Sequence, residues 1–358
     1  MKLSSILIAI LSCVNLNAQN NVCFEIIDNP DSGDPALGIF EKYVDVYGCA
    51  IYAESGVTDD RVLHVAAVWA ELIDNNEDGI VDDPQLLEAL VEADALMPVF
   101  EFDESSSMQS FFNNYQGEGV SAILWQSEID PSQPGHWGDD ATVEEVLHTI
   151  NDVGHREIYP DAFELEPNSS LMSDAMDLAR GGQWLTIPQT YPDEAWYHYD
   201  DYTCDYQCMA IEYLYWCIVS HMGILNDVQT CDGIANEWEP CSPELFMSTD
   251  PTMYAIVTDP QYLLPQLAPD GNYCPANSVE SELYANVNIW PNPAKDGIFI
   301  EFPSAVSGTI EILDANGRKV YQAEVDSLKQ YIDLTGQNSG LFTLHVNGML
   351  IDRFSLIR

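Results

Sequence analysis

Basic side chains are scarce in this chain: 11 Lys and Arg stand against 59 Asp and Glu in 358 residues, a net charge of −48. A surface this negative repels phosphate backbones and anionic headgroups, which excludes nucleic acid and anionic membrane as partners and favours cations as ligands. After its first residues the sequence lacks any run of the ~18 apolar residues a membrane span needs, so none is expected. Disorder is excluded too, because 46% hydrophobic residues, eight Trp among them, suffice for a packed core.

What stands at the start is the layout of a secretory signal peptide. Lys2 precedes an apolar run from Leu3 to Leu11 and a polar stretch ending in Ala18, so residues 1–18 are expected to be removed and the rest exported. Cys13 in "ILSC" admits a lipid-anchor reading, against which the bulky Leu11 and the short apolar run weigh. The mature chain keeps Cys23, Cys49, Cys204, Cys208, Cys217, Cys231, Cys241 and Cys274, an even set that suits a disulfide framework in an oxidising compartment. Four bridges are expected. Proximity pairs Cys23 with Cys49 and Cys231 with Cys241, and the Cys204-xxx-Cys208 spacing reads as a disulfide before it reads as a metal pair.

The charge is unevenly spread, and this locates a boundary. Residues 19–282 hold four basic side chains (Lys42, Arg61, Arg156, Arg180) and 51 acidic ones, whereas residues 283–358 hold six and eight. The later segment alternates apolar and polar residues in short runs: "IFIEF", "GTIEILDANGRKVYQAEV" with an Asn316-Gly317 hairpin turn, "QYIDL", "GLFTLHV" and "DRFSLIR". Such a segment is a small β-sandwich. "WPNPAKDG" at its start, "DANGRKV" in the middle, "SGLFTLHV" near the end and the basic Arg358 resemble the type A sorting domain of the type IX secretion system of Bacteroidota. The resemblance implies an immunoglobulin-like sandwich over residues 283–358. It also implies the secretion machinery as partner, and a final location outside the cell or on its surface.

Residues 19–280 form the cargo, in which helical periodicity prevails. Helices are expected at Asp59 to Ile73, Pro84 to Leu96, Thr142 to Val153, Ser170 to Ala179 and about Asp205 to Ile224, with a strand at residues 120–129. The class is therefore α+β: a mainly helical cargo with a small sheet, then the sandwich. Between the first two helices, "DNNEDGIVDDPQ" places Asp74, Asn76 and Asp78 at positions 1, 3 and 5 of an EF-hand loop, Gly79 at its turn, the Ile80 carbonyl at 7 and Asp82 at 9. Alternating oxygens around a glycine suit calcium as a structural clamp; a solvated acidic turn is the plainer alternative. Position 12 holds Gln85 in place of Glu, which leaves Asp83 or Glu88 to complete the set.

The stretch "TVEEVLHTINDVGH" at residues 142–155 lacks the first histidine of the zinc-protease pattern HExxH. Glu144 stands at the first ligand position, Glu145 at that of the general base and His148 at the second ligand. Four residues apart on a helix, Glu144 and His148 share one face and can grip one ion. Glu145 lies ~100° away, within reach of the reacting water. Glu212 is the lone charge in the apolar run "CMAIEYLYWCIVS" and needs a partner to offset its desolvation, which makes it the third candidate ligand. His155 is its rival, and "AWYHYDDYTCDYQC" at 195–208 supplies aromatic residues to wall a cleft. His64 and His221 read as core or helix-end residues.

In kind, these residues resemble the gluzincin branch of zincin metallopeptidases. The resemblance implies a glutamate ligand on a later helix and an edge strand ahead of the metal helix to pair with substrate. The expectation is thus a secreted hydrolase of peptides or proteins that depends on zinc or another divalent transition metal. The competing expectation is a non-enzymatic exported calcium-binding surface or adhesion protein, because two carboxylates and one imidazole make a harder donor set than zinc usually takes.

Overall fold

The computed structural model describes residues 24–275, 287–302, 309–314, 318–325, 327–346 and 349–357. Strands β1 (Ile27–Asp28), β2 (Lys42–Val46) and β3 (Cys49–Ala53) pair antiparallel; β4 (Leu96–Phe100) and β5 (Leu124–Trp125) add on in parallel, in the order β1-β2-β3-β4-β5. All of β4 is buried, as expected of a parallel strand covered on both faces. Met97 and Val99 join the main core, while Leu96 and Phe100 join a second cluster with Phe40, Tyr52 and Phe111. Parallel pairing of β3 and β4 needs a long crossover, and α1 (Asp59–Ile73), an acidic turn and α2 (Pro84–Glu92) supply it.

Helix α1 begins and ends as its pattern predicts. Asp59 and Asp60 suit the positive end of its dipole, and its length from Val62 onward is almost wholly buried. Helix α2 is capped by Asp83, with Pro84 at its first position. It stops at Glu92, four residues short of the expected Leu96, because Asp94 adopts φ +53° and Leu96 is drawn into β4 opposite Ala50. The expected strand at 120–129 also contracts, to β5 and a 3-10 turn at Gln126–Glu128. Val120 and Ile123 pack onto the second cluster beside α3 (Ser106–Asn114), so their apolar pattern serves packing and not pairing.

Helix α4 (Thr142–Thr149) runs on through a π-helical turn at Ile150–His155 into α5 (Arg156–Ile158) and α6 (Pro160–Phe163). Then come α7 (Leu171–Ala179) and α8 (Tyr206–Met222). Helix α8 is apolar on nearly every side, as a helix inside a core must be; Asp205 caps its start and Gly223, at φ +77°, ends it. Helix α4 packs against both α1 and α8, and α9 (Val228–Ile234), α10 (Pro243–Thr249) and α11 (Pro251–Val257) complete this region, the last two lying on α8.

Disulfides join Cys204 to Cys208 and Cys231 to Cys241 as expected, and Cys274 is also disulfide-bonded. The Cys23–Cys49 pairing does not form, nor does a full set of four bridges: Cys49 and Cys217 are free thiols that face the core from β3 and α8. Cys13, Cys23 and the signal segment lie outside the described residues.

The C-terminal strands are β6 (Asn288–Trp290), β7 (Gly297–Glu301), β8 (Thr309–Asp314), β9 (Lys319–Glu324), β10 (Lys329–Asp333), β11 (Gly340–Val346) and β12 (Met349–Leu356). They form a β10-β7-β6 sheet and a β12-β11-β8-β9 sheet, antiparallel throughout. Between them Ile298, Ile300, Ile310, Ile312, Ile332, Leu344 and Phe354 make a core that shares no residue with those of the cargo. The Asn316-Gly317 turn lies outside the described residues. Among the described residues no helix is long and apolar enough to cross a membrane.

Candidate metal centre

Val143, Val146, Leu147 and Ile150 bury one side of α4, as their spacing predicts. That leaves Glu144, Glu145 and His148 facing α8, where Glu212 projects toward them. One ligand atom each from Glu144, His148 and Glu212 lie within 4.8 Å of one another, and among the described residues this is the one such group of His, Cys, Asp or Glu. His148 is buried, with its Nε2 3.3 Å from Glu212 Oε2 and its Nδ1 3.5 Å from Glu145 Oε2. Yet Nε2 has no hydrogen bond, and a buried ring nitrogen left this way is costly. An ion accepted by the imidazole lone pair would satisfy it, so the donor set fits a divalent cation. Three protein ligands also leave further coordination positions open.

The electrostatics favour positive charge here. Glu144 is pushed up to about 8, first by burial and then by Glu212, with Glu145 and Glu237 adding and His148 opposing. Burial disfavours a charged His148, but Glu212 and Glu145 outweigh it and hold the ring well above its usual range. Glu237 rises to about 7 through burial, against a 2.8 Å hydrogen bond from Trp216 Nε1, with Glu212 and Asp200 adding. Glu128 rises to about 8, again through burial, with Glu145 adding. A cluster of carboxylates crowding one imidazole is what a bound cation relieves.

Glu145, His148 and Glu212 line a cleft of about 400 Å³ with Ser121, Asp205 and Cys208. The side chain of Glu212 is only 14% exposed. Arg156, the basic residue of this lining, is paired with Asp152 at 2.9 Å. Glu144 opens on the other side, into a space of about 270 Å³ walled by Trp137 and Tyr215 beside Glu128. The stretch 195–208 supplies Tyr199, whose hydroxyl donates to Glu212 Oε1 at 3.3 Å.

His155, the rival third ligand, is not brought to this group. The π-helical turn carries it into the core, where its Nδ1 meets Asn151 Oδ1 at 2.9 Å and its ring packs on Phe163; burial lowers it to about 4. His64 is also a core residue, 3.1 Å from Asp140 Oδ2, and His221 meets Gln266 near the end of α8. Sequence reasoning missed Glu128, Glu237 and Tyr215. Glu128 and Glu237 reach the site only through the tertiary fold, and no local spacing marks them; Tyr215 follows Glu212 by three residues on α8, a spacing that could have found it.

The acidic loop after α1 has the turn its glycine predicts. Gly79 lies at φ +85° and donates to Asp74 Oδ2 at 2.7 Å; Asp78 N donates to Asn76 Oδ1 at 3.0 Å and Ile80 N to Asp78 Oδ1 at 2.9 Å. Asp82 Oδ2 accepts from Asn75 N at 2.8 Å. The carboxylates of Asp74, Asp78 and Asp82 do not converge as Glu144, His148 and Glu212 do. Asp83 is occupied as the α2 cap and by the Tyr159 hydroxyl at 2.7 Å, and Glu88 faces a separate cleft with Glu92 and Arg156. Position 12 thus keeps no ligand of its own.

No curated protein matches the chain. Among solved structures, one similar chain is PorZ, a bacterial surface component of the type-IX secretion system of Porphyromonas gingivalis. It is 24% identical over 22% of this chain and 12% of its own length, with a TM-score of 0.18. Residues 288–351 match the family model of the secretion system C-terminal sorting domain, and they coincide with the sandwich. The chain therefore ends in a type IX sorting domain, which marks it for export to the cell surface or the extracellular space.

Proposed function

We propose that residues 19–280 are a metal-dependent, peptidase-like hydrolase whose ion is held by Glu144, His148 and Glu212. The observation that carries this reading is the convergence of three ligand atoms within 4.8 Å, one of them a buried ring nitrogen that makes no hydrogen bond and faces Glu212 Oε2 at 3.3 Å. Zinc, or another divalent transition metal that tolerates two carboxylates, suits the set. Such an ion supplies Lewis-acid polarisation of a carbonyl and makes water a usable nucleophile at neutral pH.

The chain's own residues do the remaining work. Glu145 lines the cleft beside His148, where its carboxylate takes the proton of the attacking water as the new C–O bond forms. The same proton then passes to the amine nitrogen as the C–N bond breaks. Ser121 and Ala122, just ahead of the edge strand β5, line the cleft with Glu212 and offer main chain to an extended peptide. The acidic loop, through Asp74, Asn76, Asp78, Ile80 and Asp82, holds calcium as a clamp between α1 and α2.

A second reading, an exported calcium-binding surface or adhesion protein without catalysis, draws on Glu144 itself. Where an imidazole would select zinc, a carboxylate admits calcium. Metal content after purification without added metal separates the two: about one equivalent of a transition metal supports the hydrolase, and calcium alone supports the binder. In the hydrolase, Glu145→Gln keeps the ion and lowers peptide hydrolysis by about 100- to 10,000-fold. His148→Ala loses the ion. Equal metal content in His148→Ala, Glu212→Gln and the parent would overturn the centre.

A further inference from the structure

The two oxygens of Glu212 are divided between partners: Oε2 lies 3.3 Å from His148 Nε2, while Oε1 accepts from the Tyr199 hydroxyl at 3.3 Å. We propose that Tyr199 is a positioning residue of the cation centre, fixing the Glu212 carboxylate so that its second oxygen faces the ion that His148 binds. The inference rests on the cation reading above.

Glu212 sits on an apolar helix and reaches a cleft, so without a second anchor its carboxylate is free to rotate into solvent. A hydrogen bond to the ligand atom's neighbour removes that freedom before the ion arrives, which is how outer-sphere partners raise metal affinity. For this to work Tyr199 must itself be held, and it is. Arg180, wholly buried at the end of α7, donates through Nη1 to Trp184 O at 2.7 Å and through Nη2 to the Tyr191 hydroxyl at 3.4 Å. Its guanidinium also lies 5.6 Å from the centre of the Tyr191 ring. Tyr191 in turn donates to the Tyr199 carbonyl at 2.7 Å. On either side of Tyr199, His198 N donates to Glu237 O at 2.7 Å and the Cys204–Cys208 disulfide ties the segment to α8 one turn before Glu212.

The test is Co²⁺ binding to the full mature chain and its variants, followed by visible absorption. Tyr199→Phe removes one hydroxyl from a partly exposed ring and leaves the packing intact. We expect its Kd for Co²⁺ to rise by about 10- to 100-fold, with an altered spectrum of the bound ion as Glu212 loses its orientation. Tyr197→Phe is the control: that hydroxyl donates to Met209 O at 2.8 Å and not to the Glu212 carboxylate, so this variant should melt lower with its Kd within about twofold of the parent. A Tyr199→Phe chain that binds Co²⁺ within about twofold of the parent, with the same spectrum, overturns the role. A parent chain that binds no Co²⁺, or a His148→Ala variant that binds it equally well, overturns the centre itself and is read separately.

Discussion

Between residues 19 and 282 the chain carries 51 acidic and four basic side chains; between 283 and 358 it carries eight and six. The first region brings carboxylates together around His148 and strings others, which do not converge, along the turn after α1, where backbone N–H groups and a tyrosine hydroxyl satisfy them. The second closes two sheets over isoleucine, leucine and phenylalanine, with no buried charged side chain among its described residues. Acidity here belongs to what is carried and not to how it is carried. An address read by one secretion machine gains from indifference to its cargo.

The two regions should be separable. Deleting residues 283–358 should leave the cargo folded but held in the periplasm, a near-complete loss from medium and cell surface that fractionation and immunoblotting measure. Undiminished release of the truncated chain would refute the division.

Calcium should act on the cargo alone. Calcium at a hundredfold excess over its Kd should stabilise the cargo by about 2.7 kcal/mol and leave the melting of the sandwich unmoved. Asp78→Ala should abolish the response. If the variant and parent respond equally to calcium and to chelator, scanning calorimetry will have ruled the loop out.

The smallest effect concerns pH. Glu71 on α1 accepts from Asp270 N at 2.7 Å and Gly271 N at 3.1 Å, and burial pushes it from 4.5 to about 7. The folded state then holds a proton that the unfolded chain releases near 4.5, so this contribution is full below that pH and is lost as pH rises through about 7. The loss is on the order of 2 kcal/mol, and Glu71→Gln should remove this share of the slope while leaving the shares of Glu128, Glu144 and Glu237. A cargo whose urea midpoint is the same at pH 5 and pH 8 would contradict this.

Much of the cargo's helical frame was legible in the sequence. Apolar spacing marks α1 to its ends, and Asp205 and Gly223 bracket α8. Local patterns misled where tertiary pairing decides. Leu96 reads as helix but lies in β4, and residues 120–129 read as a strand although only Leu124 and Trp125 reach a partner. The same limit governs the site. Glu144, Glu145 and His148 share a turn of helix, and Glu212 announces itself as a lone charge among apolar neighbours, so all four were visible. Glu237 and Glu128 come from distant segments, and nothing in their surroundings sets them apart.

The free thiols of Cys49 and Cys217 carry a consequence for the order of folding. Disulfides at Cys204–Cys208 and Cys231–Cys241 call for oxidising surroundings, yet two thiols of the same chain survive there. Burial holds both well above the usual thiol range, Cys49 at about 12, so neither offers a thiolate to exchange. That protection exists only once β3 and α8 are covered. Collapse around them must therefore outrun oxidation, and a slowly folding variant of this chain should betray itself by wrongly bridged species containing Cys49 or Cys217.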